Sequence, residues 1–196
     1  MLLKDSGHKE YENPTPDTYG ARCIKVIDIG TQAGSYQGKA TSSRKMVISW
    51  ELDSLMKDGR PFVVQKTYTA SMNEKAMLRK DMEGWRGAKY TEEQLLAGID
   101  LKKILGSACM ISMVQNDNYV NVGSISKVPK GMLVPAQVNP SVYFNLEDFD
   151  QDVFDSLTEY QKKKIMGSPE WEGRSMQPPV AKETGQDGKA VDEIPF

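Results

Sequence analysis

Histidine is almost missing from this sequence: His8 is the only one in 196 residues, and it stands in a polar stretch ahead of the first apolar run. That excludes catalytic triads, Cys-His dyads and histidine-rich metal sites, each of which needs an imidazole held inside a shaped pocket. No Asp or Glu pair sits in a recognisable motif, so the expectation is a protein that is not an enzyme, with no cofactor and no metal. Cysteine is nearly absent too. Cys23 and Cys109 lie inside apolar, strand-like runs and read as small buried hydrophobes in a reducing compartment rather than as a disulfide framework. No run of about 18 apolar residues exists to span a bilayer, and the opening residues lack the apolar centre of a signal peptide. A cytoplasmic protein with no membrane partner is expected.

A nucleotide-triphosphate loop is also absent. GSYQGKA, residues 34 to 40, comes near one, but the spacing would require Gly at Ala33 and Ser or Thr at Ala40. It would also require a helix to follow, to aim its N-terminus at the phosphates, and a strand follows instead.

What the chain does have is an uneven charge distribution. The net charge is −2, yet residues 22–90 carry 13 basic against seven acidic side chains. Residues 145–160 carry six acids and no base. A basic body with an acidic rear is a pattern found in nucleic-acid binders with a modulating tail; a solvated mixed-charge surface gives the same count.

Periodicity then sets out the elements. Thr18 to Ile29 is rich in β-branched residues, and Arg44 to Leu52 alternates Met46, Ile48, Trp50 and Leu52 with polar neighbours, so two strands are expected with a Gly/Ser loop over 30–43. Asp58-Gly59 turns into a third strand, Pro61 to Thr69. The period next changes to three and four through Met77, Leu78, Met82 and Trp85, a helix with Asn73 as its cap, and shorter helical pieces begin at Thr91 and Asp100. Ala108 to Val114 and the run from Tyr119 supply strands four and five.

Three strands, a helix and two strands is the order of the OB-fold, a five-stranded Greek-key barrel with its helix between strands three and four. The expected organisation is a flexible arm (1–17), the OB-fold domain (18–128), a proline-bearing strap with acidic helices (129–166), a flexible linker (167–189) and a terminal tip (190–196). Phe149, Val153 and Leu157 recur at helical spacing in the acidic part, and Ser156 with Glu159 has capping-box spacing.

An OB surface for single strands needs cations along the backbone and rings for unstacked bases. The candidates are Tyr36 and Lys39 in the first loop, Arg44, Lys45 and Trp50 in strand two, Lys66 and Tyr68 in strand three, and Arg79, Lys80 and Arg86 on the helix. Lys66 and Tyr68 share one face of their strand, which suits a phosphate contact beside a stacking ring. Against this, Trp50 and Trp85 each read more readily as core. No base-reading motif is present, so binding is expected to ignore sequence.

The chain ends Asp192-Glu193-Ile194-Pro195-Phe196. This resembles the C-terminal tip of bacterial single-stranded DNA-binding proteins, acids followed by Ile-Pro-Phe, which in that family docks into basic-rimmed hydrophobic pockets on replication, recombination and repair proteins. Residues 66 to 87, KTYTASMNEKAMLRKDMEGWRG, are similar to OB-fold single-stranded DNA-binding proteins of tailed bacteriophages. The resemblance implies a protein that coats single strands in the cytoplasm of a bacterial host and recruits host or phage replication proteins through its tip. Oligomeric state stays open, a homo-oligomer included. A different class, an adaptor docking on host replication factors without touching DNA, needs the tip but not the basic and aromatic face. A nuclease-like OB enzyme comes last, for want of a metal-holding cluster.

Overall fold

The computed structural model describes residues 12–117 and 119–175, Tyr36 and Ser175 as backbone only. Most of the expected N-terminal arm, the linker beyond residue 175 and the whole tip lie outside the described residues. The architecture is mainly β, an open sheet of six strands with five short helices among the described residues. The strands are β1 (Thr18–Tyr36), β2 (Lys39–Leu55), β3 (Pro61–Thr69), β4 (Ala108–Asn116), β5 (Tyr119–Ser126) and β6 (Val142–Phe144). The helices are α1 (Met77–Arg86), α2 (Glu92–Ala97), α3 (Gln151–Ser156), α4 (Glu159–Met166) and α5 (Pro169–Ser175), with a 3-10 turn at Leu101–Ile104. No helix among the described residues is long and apolar enough to cross a membrane.

The sheet runs β3-β2-β1-β4-β5, all neighbours antiparallel, and β6 adds to β1 in parallel. It is open between β3 and β5, which no ladder joins. Alternation divides β1 and β2 between two cores. Ala21, Cys23 and Val26 of β1 and Met46, Ile48, Trp50 and Leu52 of β2 face inward, against Phe62, Val64, Ile111, Val122 and the apolar face of α1. Ile27, Ile29 and Val47 face outward, under Phe144, Leu146, Phe154, Leu157 and Ile165. Aromatic side chains fill that second core, with Trp171 stacked on Phe154 at 4.9 Å between ring centroids and tilted against Phe149 at 5.7 Å.

Several expectations need correcting. The N-cap of α1 is Ala76, without a side-chain bond, and not Asn73, whose Oδ1 accepts from the Lys75 amide before the helix begins. Residues 30–43 are not a loop: β1 and β2 stay paired out to Tyr36 and Lys39, turning at Gln37-Gly38 with φ of 50° and 74°. The segment showed no apolar alternation because most of its side chains are exposed, and alternation reports only a strand with one buried face. Nor does a linker begin at 167. Ser168 is fully buried and caps α5 by accepting from the Trp171 amide, and Pro169 takes the first helical position, where its missing N–H costs nothing. The capping box of the acidic part is Thr158 with Gln161, not Ser156 with Glu159, because the Ser156 hydroxyl donates to the Val153 carbonyl.

The segment before β6 crosses the outer face of β1 and β2 as an extended strap, held by one cross-strand pair. Arg22 and Glu51 are register partners. The Arg22 guanidinium donates to the carbonyls of Pro135, Gly106 and Val134 at 2.6–2.9 Å. The buried Glu51 carboxylate accepts from the amides of Val138 and Asn139 and from Asn139 Nδ2 at 2.6–2.8 Å. Backbone groups that a strap buries must find partners, and this pair supplies both signs.

Glu51→Ala is therefore expected to cost about 2–4 kcal/mol in urea unfolding, since hydrogen bonds to charged groups are worth about 1.5–3 kcal/mol each and orphaned amides add to the loss. Amide exchange at Val138 and Asn139 should rise with it. Burial pushes the Cys23 thiol up to about 12 and the Cys109 thiol up as well. Both should resist a disulfide reagent in the native protein at pH 8.5 and react only on unfolding; native reactivity would contradict the packing.

Candidate nucleic-acid interface

The interface expected on strand three is the first thing the structure revises. Lys66 and Tyr68 do share a face, but it is the inward one. Tyr68 is 2% exposed, and its hydroxyl donates to Asp81 Oδ2 of α1 at 2.8 Å. Lys66 Nζ donates to the same oxygen at 2.8 Å and to the Gly123 carbonyl of β5 at 3.1 Å. Burial, then the neighbouring Asp81 charge, drives the Tyr68 phenol well above its ordinary value. Neither side chain is placed to meet a nucleic acid. Trp50 is also core, fully buried and 6.1 Å from the Trp85 ring, and its indole N–H finds no acceptor among the described residues.

This network lies across the open side of the sheet. Asp81 ties α1 to β3, and Lys66 carries the tie on to β5. Close approach of α1 to β5 requires Gly84, where a Cβ would fall 2.5 Å from the Ile125 carbonyl oxygen. Below the bridge, β3 and β5 remain apart, leaving a groove of about 640 Å³ bordered by Phe62, Val64, Met113 and Val122.

Of the expected cations, three are engaged. Lys66 is one. Arg44 is held between Asp28 and Glu147, both at 2.6 Å. Arg79 donates to Glu83 at 2.9 Å and to the Met72 carbonyl. Those charges are largely neutralised within the fold.

The remaining four face solvent or its edge. Lys39 is exposed at the tip of the β1–β2 hairpin. Lys45 stands on the outer side of β2, donating to Thr69 Oγ1 at 2.7 Å. Lys80 is exposed on α1. Arg86 is exposed near the end of α1, its guanidinium 4.4 Å from the Tyr90 ring. Tyr36 closes the tip beside Lys39, their Cα atoms paired.

Sequence reasoning missed Tyr119. It is 72% exposed, on the turn into β5. The signal was there: Val120 and Val122 point to the core, so their odd-numbered neighbour points out. The outer side of β3 adds an exposed, uncharged row of Val63, Gln65, Thr67 and Thr69, whereas Val47, Ser49 and Glu51 on the outer side of β2 are buried. The available surface is therefore the hairpin, Lys45, the outer row of β3, Lys80 and Arg86 on α1, and the β4–β5 turn. Chemically it offers separated positive charges and the exposed Tyr119 phenol ring, with polar side chains between. Comparison with known protein families, curated proteins and solved structures returns no match.

Tyr68→Ala is expected to destabilise the protein by about 3–5 kcal/mol, the range for emptying a buried aromatic site. Asp81→Ala should cost a similar amount, because it strands a mostly buried ammonium. Thermal unfolding reads both. A Tyr68→Ala protein of unchanged stability would return that ring to the surface.

Proposed function

We propose that this chain is a sequence-independent single-stranded DNA-binding protein of OB type. The observation that carries the reading is the strand order. A β1–β3 meander, β4 against β1, β5 against β4, and the intervening helix laid over the gap between β3 and β5 follow the order of the OB plan and support the reading, with the sheet left open along one seam. In that plan the loops joining strands one and two and strands four and five border the oligonucleotide surface, with strands two and three between them. Here those positions are the hairpin tip with Lys39 and the turn with Tyr119. Lys39, Lys45, Lys80 and Arg86 would track phosphates; Tyr119 and Tyr36 would carry bases, whose stacking tolerates any sequence.

The terminal residues 192–196 extend the reading. Their resemblance to the bacterial acidic Ile-Pro-Phe tip supports recruitment of host or phage replication, recombination and repair proteins, by a phage protein acting in the host cytoplasm. Pro195 would restrict the backbone, Ile194 and Phe196 would offer apolar anchors, and Asp192 and Glu193 would meet cations. A second reading, the adaptor without DNA, gains from two observations. Burial of Tyr68 and Trp50 thins the aromatic face, and the strap exposes Leu133 at 91% and Val138 at 75%.

A salt titration separates the two. With about 0.7 counterions released per phosphate on a single strand, four cations give a slope of log K against log salt of about −2 to −3 for oligo(dT), and duplex of equal length should bind less tightly. No oligo(dT) binding at low salt would leave the adaptor reading. Deleting residues 190–196 should spare DNA binding and abolish capture of replication proteins, and Phe196→Ala should reproduce the capture defect while keeping every carboxylate. Equal capture by full-length and truncated chains would contradict the role given to the tip.

A further inference from the structure

We propose that the turn between α4 and α5 is a mount for the hairpin arm, and that Glu170 is the positioning residue that holds the arm ready for a single strand. The inference rests on the DNA-binding reading above.

The arm is the part of β1 and β2 that no third strand supports. The Arg44 carbonyl still accepts from the Ala70 amide just past β3 at 2.9 Å, but from Gln32–Ser43 out to Tyr36–Lys39 the two strands pair only with each other. A two-stranded ribbon is marginal in water. At its root the ladder slips between Asp28 and Thr31, and Gly30 sits inside the slip at φ 69°. A bulge of this kind bends a strand and re-aims the residues beyond it. Left alone, the arm would swing there.

The residues around α5 take hold at that point. Glu170 accepts from the Thr31 amide at 2.9 Å with one oxygen and from the Thr31 hydroxyl with the other. Gln32 Nε2 donates to the Ile29 carbonyl at 2.7 Å and across to the Lys164 carbonyl at 2.9 Å. A Cβ on Gly30 would lie 2.5 Å from both Cβ and Oγ of Ser168, so the bulge rests directly on the turn before α5. Burial would raise the Glu170 carboxyl, but the Thr31 hydroxyl and amide outweigh it and hold the group below its ordinary range. The second strand is gripped from the same quarter, Arg44 pairing with Glu147 just past β6 as well as with Asp28. Both strands of the arm are thus fixed at the root by the C-terminal segment, while the tip with Lys39 stays exposed. Fixing a binding element beforehand removes an ordering cost from association.

The test uses the full-length chain with Glu170→Ala, and Thr31→Val as a milder second variant. Amide exchange across 33–42 should accelerate about tenfold or more, the scale of losing hydrogen bonds to a charged acceptor, while exchange at Ile48 and Ile111 keeps its wild-type rate. The dissociation constant for oligo(dT) should rise about three- to tenfold as the arm must be ordered on binding. Glu170→Gln keeps an oxygen for the Thr31 amide and should recover most of both effects. Unchanged arm exchange in Glu170→Ala overturns the mount. Faster exchange with unchanged oligo(dT) affinity overturns the positioning role. A wild-type chain that fails to bind oligo(dT) removes the functional reading and the positioning role with it, and the exchange comparison then judges the mount alone.

Discussion

One carboxylate holds the open side of the sheet together. Asp81 receives the Tyr68 hydroxyl and the Lys66 ammonium on the same oxygen, and Lys66 also reaches the β5 backbone. Burial of Leu78, Met82 and Trp85 supplies the bulk attraction between α1 and the sheet, but hydrophobic attraction is non-directional and would tolerate the helix at several angles. The ionic bonds choose one. They also bridge a seam where strand pairing is missing, so α1 substitutes for part of a ladder. A buried pair of this kind need not beat an apolar core in stability; here its geometry also sets where the seam ends and the groove begins.

Charged side chains gripping backbone recur elsewhere in the fold. Arg22 and Glu51 secure the strap, and Glu170 secures the root of the hairpin arm. In each case an irregular segment is fastened by a charge rather than by a strand ladder. The consequence for function is spatial. Strap, β6 and α3–α5 cover the outer side of β1 and β2, which leaves the arm, β3 and the β4–β5 turn as the surface open to a ligand. The acidic rear of the chain is thus structural in part, with Glu147 and Glu170 engaged in holding the arm.

Strand order and helix placement were legible because they rest on local periodicity. The alternation from Met46 to Leu52 and the three-four spacing from Met77 to Trp85 each name one buried face. The arm was not legible, because a ribbon solvated on both sides leaves no apolar alternation. Nor was the start of α5, whose single anchor, Trp171, sits among Gly, Pro and Glu and depends on Phe149 and Phe154 folding back to meet it. The site fared worst. Lys66 and Tyr68 were correctly placed on one face, yet which face is inward depended on Asp81, an acid 13 and 15 residues further along the chain. Composition reads a buried ion pair and an exposed cation alike. Tyr119 was available from alternation alone.

The central claim is that a single strand lies over the arm, the outer row of β3 and the β4–β5 turn. Photocrosslinking of oligo(dT) to the full-length protein, with peptide mapping of the products, addresses it most directly. Adducts are expected on the peptide carrying Tyr36 and Lys39 and on the one carrying Tyr119, and they should fall away as salt is raised. Adducts confined to the strap or to α3–α5, or none at any salt, would contradict the account.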